Sequence, residues 1–128
     1  MRYSLWFPTH GVEAGSLRGF LNRLFLQPAY RLDAERQSLV SRAISELCVD
    51  RGWKLLEVKA GEYGVSATVE SNVSPERIIH DFKIAASLAL TFLDGDGPDR
   101  KRFNRRAHYH EVDPAAFSMA TAAAVSRR

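Results

Sequence analysis

His108-Tyr109-His110 is the stretch of this sequence in which side chains able to bind a metal or attack a phosphate stand at a useful spacing. On a strand, alternation puts both imidazoles on one face and the tyrosine on the other. Two histidines so placed can share one divalent ion. A stable site needs a third ligand, and Glu111 falls on the side of Tyr109. No base is evident beside Tyr109, which argues against a nucleophile. Solvent-facing strand histidines are the commoner outcome of such a pattern.

The concentrated basic stretch is residues 100–106, where Arg100, Lys101, Arg102, Arg105 and Arg106 surround Phe103 and Asn104. Closely spaced cations with an aromatic among them suit a phosphate backbone and its bases. The competing reading is a solvated loop, the usual fate of a charge run. Lys83 would be a secondary contact. Tyr63, in a turn, is either a cover for its hairpin or a platform on which an unpaired base can stack.

Other reactive types have plain explanations. Cys48 is the single cysteine, so no internal disulfide can form, and its place on an apolar helical stripe reads as core. His10 and His80 are isolated, with His80 on the polar side of its helix. Glu57, Glu62 and Glu70 alternate with basic residues and read as surface pairs. Arg127 and Arg128 end a last helix, where cations suit the dipole. There is no Ser-His-Asp order, phosphate-cradling glycine loop or dinucleotide fingerprint.

The elements that must position these residues follow from pattern. The 128-residue chain reads as one domain, 1–128, with 45% hydrophobic and 26% charged residues. No run approaches the roughly 20 apolar residues of a membrane span, and Pro8 ends the first apolar run too soon for a signal peptide. The expectation is a cytoplasmic protein. Its net charge of +3 and isoelectric point near 9.3 favour acidic partners mildly.

Residues 3–7 read as a first strand. Residues 17–26 carry apolar side chains at helical spacing (Leu17, Phe20, Leu21, Leu24, Phe25). Asp33 caps a helix whose stripe is Leu39, Val40, Ala43, Ile44 and Leu47, stopped at Gly52. The centre of the sequence is residues 52–93. Trp53 and Leu55, then Val65, Ala67 and Val69, alternate as the inner faces of a hairpin turned at residues 61–64. Ser74 caps a second helix with Pro75 at its first position. That helix carries a broad apolar face of Ile78, Ile79, Phe82, Ala85, Ala86, Leu88, Ala89, Phe92 and Leu93. Glycine, aspartate and proline close it at residues 94–99. Residues 108–112 read as a final strand, and Asp113-Pro114 starts a last alanine-rich helix. The order predicts an α+β, ferredoxin-like βαββαβ sandwich, an antiparallel sheet with helices on one face.

With these elements in place, the sequence resembles the single-tyrosine HUH transposases of the insertion-sequence-200 type, above all the REP-associated tyrosine transposases. Four pieces carry the likeness: Leu32-Asp33-Ala34-Glu35-Arg36; Cys48-Val49-Asp50-Arg51-Gly52-Trp53; the strand at residues 65–69; and Ser74-Pro75-Glu76-Arg77 with Asp81-Phe82-Lys83. The resemblance implies an HUH transposase-like fold, a homodimer, and recognition of imperfect DNA hairpins. It also implies a divalent metal held by two histidines one residue apart, which polarises the scissile phosphate. A tyrosine on the last helix would attack and stay joined to DNA.

The sequence departs from that pattern at both halves of the chemistry. The histidine pair is replaced by Gly64 and Ser66 around Val65, and the last helix has no tyrosine, with Ala123 near its expected place. Glycine offers no ligand, and a serine hydroxyl competes poorly with water for a divalent ion. The expectation is a catalytically degenerate domain with no cofactor, binding structured single-stranded DNA, or RNA, through the sheet face and residues 100–106. A rival is an active nicking and joining enzyme with a metal site rebuilt at His108 and His110. Another is a dimerising protein-interaction domain that binds no nucleic acid.

Overall fold

The computed structural model describes residues 1–11, 30–96 and 100–112. Six elements run along it: β1 (Arg2–Pro8), α1 (Ala34–Arg51), β2 (Lys54–Ala60), β3 (Gly64–Glu70), α2 (Pro75–Asp94) and β4 (His108–Val112). The four strands form one antiparallel sheet in the order β2-β3-β1-β4. This is the expected βαββαβ arrangement. The expected helices over residues 17–26 and 114–128 lie outside the described residues.

Local chemistry explains the boundaries. The Asp33 side chain accepts from the Arg36 backbone N–H at 2.9 Å, and Ser74 does the same for Arg77. Such caps contribute about 1 kcal/mol each. Pro75 opens α2, where a missing N–H leaves nothing unpaired. Gly52 and Gly95 end the two helices in left-handed conformation, at φ 71° and 68°, a region that side chains with a Cβ resist.

The core lies between one face of the sheet and the two helices. Tyr3, Leu5 and Phe7 of β1 and Val65, Ala67 and Val69 of β3 point into it, to meet Val40, Ile44 and Cys48 of α1 and Ile78, Phe82, Ala86 and Leu90 of α2. Each fully buried large aliphatic or aromatic side chain is worth about 1.5–3 kcal/mol against exposure. Cys48 is core, as its spacing implied, and burial pushes its thiol up to about 11. That is the wrong direction for a nucleophile.

The structure departs from the sequence pattern at β2 and at α2. Strand β2 begins at Lys54, after Trp53, and its register slips between Leu55 and Glu57. The bulge carries Val58 and Ala60 to the inner side, which strict alternation from Trp53 and Leu55 does not give. The buried face of α2 is narrower than its apolar spacing implies. Leu88 and Phe92 are 63% and 92% exposed and, with Ile84 at 46%, form an outward stripe rather than core. Positions 84, 88 and 92 are one turn apart on the side away from Phe82, Ala86 and Leu90.

Candidate nucleic-acid interface

The core-facing alternation of β1 and β3 fixes what stands on the other face of the sheet. Strand register sets out two cross-strand rows there. One contains Lys59, Ser66, Trp6 and His108; the next contains Glu57, Thr68, Ser4 and His110. Gly64, paired with Pro8, lies beside the first row. Ser66 and Gly64 therefore share this open face with His108 and His110. Tyr109 and Glu111 lie on the opposite side, aligned with Leu5 and Tyr3.

Trp6 is the largest side chain on the open face and is 37% exposed. Its indole covers Gly64. A Cβ built on that glycine would meet Trp6 Nε1 at 3.0 Å and Cε2 and Cζ2 at 3.2 Å. The His108 ring stacks against it, with centroids 5.7 Å apart and planes 26° apart. Residues 64 and 66 do not fit a divalent metal: one has no side chain and is roofed by an indole, the other offers only a hydroxyl. Among the described residues no group of three or more His, Cys, Asp or Glu could hold a metal ion.

Tyr109 does have a carboxylate beside it, contrary to expectation. Its hydroxyl donates to Glu76 at the start of α2. That bond, with the nearby charge, raises the phenol's pKa and lowers that of Glu76. The bond favours the neutral phenol at rest, and it also puts a carboxylate within hydrogen-bond reach of the hydroxyl, where a general base would stand.

The basic segment divides into two classes. Arg102 is 1% exposed. It donates to Thr91 Oγ1 at 2.9 Å, pairs with Asp94 at 3.4 Å and bonds Asp96. Arg100 bonds Asp96 at 2.7 Å and lies over the Tyr30 ring at 4.9 Å. Asp94 also receives Arg36 Nη2 at 2.6 Å and the Tyr30 hydroxyl at 2.7 Å. Burial works against the charge on Asp94, but the bonds from Tyr30 and Arg36 outweigh it and hold the carboxyl below its usual range. Arg100 does the same for Asp96. Arg102 is thus removed from the expected phosphate-binding strip, and Arg100 is largely neutralised.

Phe103 is no loose aromatic either. It bridges Thr9 and meets Phe7 edge-on at 5.3 Å. Lys83 is half-buried, and its ammonium donates to the backbone carbonyls of Asn104 at 2.7 Å and Arg105 at 3.2 Å. Desolvation lowers its pKa. Lys83 is a brace for the chain entering β4. That leaves Lys101, Arg105 and Arg106 as the exposed cations of the segment, with no ion-pair partner among the described residues. Arg105 lines a cleft with Glu76, Ile79, His80, Lys83 and Tyr109. Tyr63 is 43% exposed at the hairpin turn, and its carbonyl accepts from Thr9 N–H.

Sequence reasoning missed Trp6 as a site residue. The signal was present: with Tyr3, Leu5 and Phe7 inward, alternation sends the strand's tryptophan outward.

The fold is that of known transposases. One solved structure, assigned as a transposase of Deinococcus radiodurans R1, superposes with a TM-score of 0.63 at 10% identity, covering 100% of this chain and 91% of that one. A REP-associated tyrosine transposase bound to a REP hairpin superposes with a TM-score of 0.54 at 10% identity, covering 94% of this chain and 61% of that one. No protein-family model matches the sequence, and no curated protein does. Among the described residues no helix is long and apolar enough to cross a membrane.

Proposed function

We propose that this chain is a transposase-like domain that binds hairpin and single-stranded DNA without cutting it. The observation that carries the reading is the indole of Trp6 lying over Gly64. The resemblance puts the first metal-binding histidine of the family at that position. The space is taken by an aromatic side chain, and Ser66 is left where the second histidine would be. Binding is supported by the shared fold with a transposase solved on a REP hairpin and by the exposed cations Lys101, Arg105 and Arg106. Neutralising phosphates with such cations makes affinity fall with salt.

The enzymatic rival would place its metal at His108 and His110. They share a face, yet Glu111, the nearest carboxylate in sequence, lies on the other. A homodimer belongs to the same proposal, and sedimentation equilibrium decides it. The function is tested by incubating a labelled imperfect DNA hairpin with the protein, with and without manganese. Binding without a covalent product supports the reading; a metal-dependent nick lost in His108→Ala supports the rival. A stable dimer with no affinity for the hairpin would point to the interaction domain.

A further inference from the structure

The open face of the sheet holds more than a filled metal position. Trp6 and His108 stand on adjacent strands with ring planes within 26° of each other. The inner side of the indole is supported by Gly64. An aromatic surface of this size is costly to leave in water, and it sits on a face otherwise made of Ser4, Ser66, Thr68 and charged side chains. Charge on that face is arranged for an anion. Glu57 is paired with Lys59, and Glu70 with Arg2 and Lys54. Arg106 is exposed. Arg105, Ala107 and Tyr109 line one cleft against α2, which leaves Arg106 on the side of His108 and His110.

We infer that Trp6 and His108 form a stacking platform for unpaired bases of a single-stranded DNA segment, with Arg106 taking the adjoining phosphate. The platform rests on the DNA-binding reading above and names which part of the DNA the face takes. Stacking on an aromatic ring tolerates any base, because every base has a π-face. The hydroxyls of Ser4 and Ser66 and the imidazole of His110 lie in the same two rows, within reach of base edges. A duplex stem cannot lay its bases flat on this surface, so the platform selects the flank or loop of a hairpin, not its paired stem.

The test compares a DNA hairpin carrying a single-stranded flank with the same hairpin made blunt, in wild type, Trp6→Ala and Trp6→Phe. Trp6→Ala weakens binding of the flanked hairpin by roughly fivefold to a hundredfold and leaves the blunt hairpin and the salt dependence unchanged. Trp6→Phe retains most of the affinity. A second readout leaves the platform intact. In a Trp53→Phe protein, where Trp6 is the only indole, the flanked hairpin quenches its emission and the blunt one does not. Equal affinity of Trp6→Ala for the flanked hairpin, or saturating binding with no quench, overturns the platform and leaves the DNA-binding reading standing. Failure of the wild type to bind either hairpin at low salt overturns both.

Discussion

The indole of Trp6 rests on Gly64 so closely that a single methyl group there would come within 3.0 Å of Nε1. The two residues are a matched pair. A strand with a side chain at 64 would push the ring away, and the ring in its place denies that position to a ligand.

Gly64→Ala should therefore displace the Trp6 ring by a few tenths of an ångström and destabilise the fold by at most about 1 kcal/mol, since the ring is partly exposed and can shift. Trp6→Ala in the same chain should recover part of the loss, since the methyl group then meets open space. Urea denaturation of the two single variants and the double variant gives the coupling. Additive effects would mean that the ring and the glycine are independent.

Arg102 and Arg105 stand three residues apart in one basic run, yet only one is available to a ligand. Arg102→Ala should cost about 1–3 kcal/mol, because it empties a fully buried site and removes bonds to Thr91, Asp94 and Asp96, although Arg36, Tyr30 and Arg100 still hold the two carboxylates. Denaturant midpoints check it. Lys101→Ala with Arg105→Ala and Arg106→Ala should leave stability nearly unchanged. The triple variant should weaken DNA binding for every sequence alike and reduce the slope of log affinity against log salt by about 2.

The same network fixes an acid limit. Tyr30 and Arg36 hold Asp94 below its ordinary range, and Arg100 holds Asp96 there. A depressed carboxyl contributes stability that is fully present above its unfolded pKa of about 3.9 and lost as pH falls through the folded value. Thermal stability should thus be flat from neutrality to about pH 5 and decline below about pH 4. Asp94→Asn should lower stability at neutral pH and flatten the decline, as melting curves from pH 2.5 to 7 would record.

Phe92 is an apolar residue that does no work in the core. Phe92→Ser should change unfolding free energy by less than about 0.5 kcal/mol, as surface substitutions do. Phe82→Ala, ten residues earlier and fully buried, should cost about 3–5 kcal/mol. Chemical denaturation of both variants separates core from surface on α2.

Much of this fold can be read from residue patterns because local signals agreed with one another. Asp33, Ser74, Pro75 and Gly52 mark helix ends by chemistry that needs no tertiary context. Alternation placed Val65, Ala67 and Val69 inward for the same reason. What could not be read depended on long-range partners. The slip at Leu55 is set by how β2 pairs with β3. Whether Leu88 and Phe92 are buried depends on what packs against α2. The spending of Arg102 on Asp94 and Asp96 requires the loop after α2 to turn back on itself, which spacing in a charge run does not reveal. Nor does the sequence disclose that Glu76 meets Tyr109, 33 positions away.

The most direct test of the central claim is equilibrium binding of an imperfect DNA hairpin with single-stranded flanks, at low and physiological salt, with and without manganese. A domain that holds DNA without cutting it should bind tightly at low salt and lose affinity steeply as salt rises. Manganese should make no difference, and no protein–DNA covalent product should form. Manganese-dependent cleavage, or no binding even at low salt, would contradict it.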